Sequence, residues 1–365
     1  MKLIILAIFL CISLIVNAQV TKTAIVTPGG LITTLTPTEF STVTNLTLTG
    51  TLDARDFKTL RDNMPVLAVL DLSQINILGY SGPEGPDASA SDYPANELPR
   101  NSFCKVTSNS AQGKSSLTLV ILPTNITSIG SLALGGCYNL KGDLVIPGSV
   151  TSIGDFAFDG CFGIAGTLTL PAGLVSIGKG AFSGCSLMTG SLNIPATVTT
   201  IGKYAFSGCS RMKGTLTLPP NITSIADSAF SSCTQLSGNL SIPSGVTSIG
   251  NGAFGSCGGF TGSLVLPANL TSLGSYAFYG CGRFTGSVTI PSAINKIKDG
   301  TFAFMNGISS FVFPPVLTQI GNSAFESCSS WTGALSFPST LTSIGNVAFE
   351  SCSSRPFADY CRNQA

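Results

Sequence analysis

Between Leu117 and Cys352 the apolar positions follow two rhythms at once. The short rhythm is alternation. Leu168 and Leu170 interleave with Thr167 and Thr169, and the same reading recurs ahead of a proline in copy after copy. Period two predicts a strand that turns its leucines to a core and its polar residues outward. The long rhythm is 24 residues, kept by Cys137, Cys161, Cys185, Cys209, Cys233, Cys257 and Cys281 and by Pro123, Pro147, Pro171, Pro195, Pro219, Pro243, Pro267 and Pro291. A fixed period of this size predicts a solenoid, because one coil cannot bury its apolar face alone and must stack on its neighbours. Each proline ends its strand, having no N–H for a ladder. The Thr-Ser-Ile-Gly segments (Thr151–Gly154, Thr247–Gly250) predict a second short extended piece on the opposite side, with the glycine permitting the turn that follows.

Further columns point inward. One holds Phe158, Phe182, Phe206, Phe230, Phe254, Phe278, Phe302, Phe325 and Phe349, with Leu134 in the first rung. Another, three residues after each cysteine, runs from Leu140 and Ile164 through Met188 and Met212 to Trp331, so the lone tryptophan reads as packing. One rung leaves the beat. Pro291 and Pro314 are 23 residues apart, Thr301 replaces the alanine before Phe302, and Met305 takes the cysteine position. A local kink is expected there. Methionine can replace a small core hydrophobe but not half of a disulfide, so the cysteines read as buried free thiols packed as apolar groups. A straight column also does not converge on a metal as zinc ligands must.

Four segments are expected. Residues 1–18 read as a signal peptide: Lys2, an apolar run from Leu3 to Val16, then small residues before Gln19. That run is too short to span a bilayer, so the mature chain is expected to be exported, with no membrane span. Residues 19–116 read as an amino-terminal cap with irregular leucine-rich units. They include a strand and turn at Leu46–Gly50, a helix from Asp53 to Asn63 capped by Asp53, a strand at Leu67–Ser73 and a loop from Tyr80 to Pro99. Residues 117–352 are the repeats, and 353–365 a tail without a clear cap, which suggests end-to-end self-association.

The registered motifs Ile-Gly-x-x-Ala-Phe-x-x-Cys and Leu-x-Ile-Pro closely resemble the BspA-like leucine-rich repeats of exported surface proteins. The runs Leu52–Pro65 and Tyr93–Pro99 look like the lead-in of the Bacteroidetes members. The resemblance implies a curved solenoid: a mostly β, right-handed leucine-rich superhelix with a parallel β-sheet on one face. It also implies adhesion or recognition, since some members bind host matrix proteins or other microbial cells.

Composition narrows the chemistry. Only 10% of the 365 residues are charged and the net charge is +1, so there is no electrostatic footprint for nucleic acid. There is no histidine, which removes His-based acid–base catalysis, Ser–His and Cys–His pairs and His-ligated metal sites. No catalytic residue, cofactor or metal site is expected. Glu84, Asp87, Asp92 and Glu97 match no calcium-loop spacing. The candidate binding face is the set of outward strand positions: Asp143 and Val145, Thr167 and Thr169, Ser191 and Asn193, Thr215 and Thr217, Asn239 and Ser241, Ser263 and Val265, Ser287 and Thr289, then Ala334 and Ser336. These short, mostly uncharged hydrogen-bonding groups suit a protein or glycan ligand on host or neighbouring cells.

Overall fold

A computed structural model describes residues 19–108, 110–333 and 335–352. The expected leader (1–18), the tail (353–365) and Ala334 lie outside the described residues.

The 24-residue register starts well before Leu117. Strands β1 (Thr21–Val26), β2 (Asn45–Leu52) and β3 (Val69–Ile77) are parallel, with Thr21 opposite Asn45 and Asn45 opposite Val69. Both offsets are therefore 24 (45 − 21 and 69 − 45). The backs of these first coils are helical: α1 (Leu31–Thr34), α2 (Pro37–Thr42) and α3 (Ala54–Asn63). Asp53 caps α3 as expected, and the pair Asp53/Asp56 closes a capping box. The buried Asp56 carboxylate also accepts from the N–H groups of Gly29 (2.7 Å) and Leu31 (3.0 Å), which ties the preceding coil to the helix start. At the other end of α3, the ammonium of Lys114 donates to the carbonyls of Arg61 (3.1 Å) and Met64 (2.6 Å). Cations satisfy the open carbonyls of a helix C-terminus in this way.

Strand β4 (Leu119–Ile121) adds to β3 with Val69 opposite Leu119, an offset of 50 (119 − 69). The longer excursion holds two small antiparallel hairpins, Tyr80–Ser81 with Asp92–Tyr93 and Cys104–Val106 with Ala111–Gly113. The Tyr80–Pro99 stretch is thus a folded excursion around the buried Tyr93, whose hydroxyl donates to the Asp87 carbonyl (2.9 Å).

In the repeats, two edges of the coil carry parallel strands. On the Ser-Ile-Gly edge one ladder joins Glu97–Leu98, Ser128–Ile129, Ser152–Ile153, Ser176–Ile177 and Thr200–Ile201; two three-stranded ladders continue it. On the Leu-x-Ile-Pro edge, pairing is shorter. Leu144–Val145 joins Leu168–Thr169, Leu192–Asn193 joins Leu216–Thr217, and Gly286–Thr289 joins Ile308–Val312. The expected second extended piece therefore carries the more continuous ladder. Side chains add rung-to-rung bonds to this ladder. Threonine hydroxyls on that edge bond the carbonyl of the previous rung, as in Thr151 to Thr127 (3.2 Å) and Thr247 to Thr223 (3.2 Å). Carboxylate and amide oxygens accept the N–H of the next rung, as in Asp155 from Lys179 (2.7 Å) and Asn251 from Ser275 (2.9 Å). The segment's glycine serves close packing and not, as expected, torsional freedom: a Cβ on Gly154 would lie 2.6 Å from the Ser131 nitrogen, and its φ is not positive.

Between the edges lies the core. The Phe158-to-Phe349 column stacks ring on ring with centroids 5.2–6.0 Å apart and planes within 2–15°. Beside it run the cysteines, each a free and, up to Cys328, buried thiol. They are more than apolar filler. From Cys161 to Cys352 each thiol donates to a carbonyl of the previous rung at 3.0–3.3 Å. The Phe182 carbonyl accepts both the Cys185 N–H (3.2 Å) and the Cys209 thiol (3.2 Å), so both lone pairs are used.

The off-beat rung is accommodated without breaking the stack. Gly286 faces Ile308 and Ser287 faces Ser310, so the offset changes from 22 to 23 at a bulge (308 − 286, then 310 − 287). Met305 is buried in the cysteine column. The buried Thr301 hydroxyl bonds the carbonyls of Lys298 (2.8 Å) and Gly274 (3.2 Å).

Candidate binding face

Alternation along each Leu-x-Ile-Pro segment sends leucine and isoleucine inward. Leu192, Ile194, Leu216, Leu240 and Leu264 are each at most 4% exposed. The residues between them are thereby fixed outward. Asp143, Val145, Thr167, Thr169, Ser191, Asn193, Thr215, Thr217, Asn239, Ser241, Ser263, Val265, Ser287 and Thr289 are all exposed. Ser336 is exposed as well.

One internal contact exists within this set. The Asp143 carboxylate accepts from the Thr167 N–H (2.7 Å) and hydroxyl (2.9 Å), and these donors hold its pKa below the usual carboxylate value. Among the described residues, the side chains of the other candidates form no hydrogen bond with the protein. Their hydroxyls and amides face solvent on a surface with one formal charge. The gap between unpaired strands adds relief. A cleft of about 470 Å³ lies between Thr215–Leu218 and Asn239–Pro243, where no ladder joins the neighbouring segments among the described residues.

The opposite edge has its own groove of about 410 Å³, lined by Ser128, Ser152, Ser176 and Thr200 and closed at one end by Glu97 and Arg100. The four acidic residues of the long excursion do not gather there or elsewhere. Glu84 accepts from the Tyr80 hydroxyl, Asp87 from Ser89, Asp92 from Ser81 and Glu97 from Ser128. Among the described residues, no three acidic or thiol groups meet in a way that would hold a metal ion.

The registered columns match the family model described as the BspA type leucine-rich repeat region over residues 104–237 and 237–355, more than half of the sequence. The chain belongs to the BspA-type leucine-rich repeat family. Solved structures similar to it include a leucine-rich repeat protein from Bacteroides ovatus (25% identity, 72% of this chain and 82% of that one, TM-score 0.45). A leucine-rich cell surface protein from Faecalibacterium prausnitzii is 24% identical over 85% of this chain and 77% of its own, with a TM-score of 0.48. The T. pallidum leucine-rich repeat protein is 23% identical over 60% of this chain and 82% of that one, with a TM-score of 0.34. No curated protein matches the sequence.

Within this BspA-type chain the outward surface is longer than the candidate set. Leu119 and Ile121, each 41% exposed, occupy the positions 24 residues before Asp143 and Val145. Ser310 and the exposed Val312 stand opposite Ser287 and Thr289. The first pair escapes a search for polar outward positions because it is apolar, and the second because the bulge shifts it by one. Subtracting the period from Asp143 and Val145 would have found the first pair. Among the described residues, no helix is long and apolar enough to cross a membrane.

Proposed function

We propose that this BspA-type chain is an exported, non-enzymatic recognition protein that binds a protein or glycan partner through its Leu-x-Ile-Pro face. The observation that carries the reading is the contrast between the two edges. On the Ser-Ile-Gly edge the hydroxyls of Thr151, Thr247 and Thr271 are engaged in holding rung to rung. On the Leu-x-Ile-Pro edge Thr169, Thr215, Thr217 and the other candidates apart from Asp143 and Thr167 hold nothing within the described chain. Solvated hydroxyls and amides on a rigid scaffold exchange water for ligand with little loss of side-chain entropy, which favours binding. The reading as a binding protein is supported further by the lack of histidine. Export is supported by the basic start, apolar run and small residues of positions 1–18.

The test is capture of purified matrix proteins, and of intact neighbouring cells, by residues 19–365. The control is a variant carrying Thr167→Lys, Thr169→Lys, Thr215→Lys and Thr217→Lys. Four long cations on this face should abolish capture while leaving the circular dichroism unchanged. Undiminished capture by the folded variant would move recognition off this face. Growth of mass with protein concentration, without capture, would favour end-to-end assembly instead.

A further inference from the structure

The turn after each Ser-Ile-Gly strand contains a residue in the left-handed region, and in most rungs the next such position, four residues on, is small. That second position is glycine or serine at Gly208, Ser232, Ser256, Gly280 and Ser327, with φ between 58° and 75°, but at Phe304 a phenylalanine is held at φ 60°. Left-handed backbone is disfavoured for a bulky L residue, and such outliers persist where the surroundings over-determine them, often at functional sites. What surrounds Phe304 is aromatic. Its ring meets Tyr279 edge to face at 5.2 Å, and Tyr279 meets Tyr276 edge to face at 6.0 Å. Tyr276 is itself left-handed (φ 59°), and its ring lies across Gly300, where no Cβ would fit.

Although packed against one another, these rings are not core. Tyr276 is 49% exposed and Tyr279 36%. Among the described residues, neither tyrosine hydroxyl makes a hydrogen bond. By contrast Phe156, at the position equivalent to Tyr276, has Lys179 lying over its ring at 5.2 Å, so that one is covered. Three partly exposed rings offer on the order of 200–300 Å². That falls well short of the roughly 800 Å² per partner that a stable protein interface buries. The area instead matches a ligand of one or a few rings.

We infer that Tyr276, Tyr279 and Phe304 form a platform for a neutral glycan. The C–H face of a pyranose packs on an aromatic face, its hydroxyls meet the free tyrosine hydroxyls, and no charge is needed on either side. The site lies on the turn edge, separate from the Leu-x-Ile-Pro face, and does not depend on that face binding anything.

The experiment is native gel electrophoresis of residues 19–365 through gels containing a β-glucan, a mannan, a xylan or, as an anionic control, chondroitin sulfate. At least one neutral polysaccharide should retard the protein. Tyr276→Ala with Tyr279→Ala should weaken the apparent affinity at least about tenfold. Phe304→Gly should weaken it likewise while leaving the melting temperature equal or higher, because glycine removes the backbone strain. The lysine variant of the Leu-x-Ile-Pro face should be retarded as the parent is. Failure of all three neutral polysaccharides to retard the parent overturns the proposal. So does retardation that the folded aromatic variants retain, or retardation by chondroitin sulfate alone.

Discussion

At the residue scale the thiol column carries a measurable signature. Burial pushes the Cys209 and Cys257 thiols up from 9.0 to about 12, and Cys185 and Cys233 well above 9.0. A raised thiol pKa means that the folded chain holds its proton more tightly than the unfolded one. The stabilisation is therefore complete below pH 9, where both states are protonated, and is lost as pH rises from 9 towards about 12. Within that window each such thiol contributes a slope of about 1.4 kcal/mol per pH unit. Replacing Cys185, Cys209 and Cys233 together by alanine should lower stability at pH 8, since it removes three sulfurs and their carbonyl contacts. It should also flatten the decline above pH 9. Urea midpoints at several pH values from 8 to 11 check this, and parallel declines in parent and variant would contradict the burial. The sequence already pointed to buried free thiols through Met305. It held no sign of the thiol-to-carbonyl bonds, because donation to the previous rung depends on how coils stack and not on what each coil contains.

At the scale of the element, glycine separates what the pattern predicts from what the packing requires. Gly154 recurs in the Ser-Ile-Gly motif and reads as a turn residue, yet its φ is unexceptional and its Cβ position is blocked by backbone: the Ser131 nitrogen at 2.6 Å and the Gly130 carbonyl carbon at 2.8 Å. Backbone cannot step aside as a flexible side chain can. Gly154→Ala should therefore cost about 1–3 kcal/mol by forcing two rungs apart. Gly173, in the turn after Pro171, has nothing within 4 Å of its Cβ position and no left-handed φ. Gly173→Ala should be neutral or stabilise by about 0.4–1 kcal/mol, through the lower entropy of the unfolded chain. Thermal melts of the two variants give opposite signs if this account holds. The same distinction explains the strands. Period two located the Leu-x-Ile-Pro edge, since it reports which way side chains point, and the recurring Thr-Ser-Ile-Gly segment located the other. Which edge holds the longer ladder is a property of how coils stack, as are rung-to-rung bonds such as Asp155 to Lys179, and a single coil does not display it.

For the whole molecule, repetition makes the fold legible and leaves the partner obscure. The Phe, Cys and Ile columns recur because every interface between coils is the same problem, so reading one coil reads them all. The coils differ at Asp143 against Ser191, or at Phe304 against Gly280, and no rhythm marks those positions, on which the proposed recognition depends. The quasi-one-dimensional stack also governs how damage spreads. Phe206 is fully buried and stacks on Phe182 at 5.2 Å and on Phe230 at 5.7 Å, the equivalent rings of the two adjoining rungs. Phe206→Ala should cost about 3–5 kcal/mol, as a buried phenylalanine does. Because contacts run between neighbours, that loss should appear as a local opening around the Phe182-to-Phe230 rungs and not as uniform loosening. The parallel sheet of β1 to β4 is anchored separately by α3 and by Asp56. Hydrogen exchange should therefore show amides near Cys209 losing protection by several orders of magnitude while those of β2 and β3 keep theirs. Equal loss of protection across both regions would mean that the chain unfolds as a single cooperative block, and the nearest-neighbour account would fall.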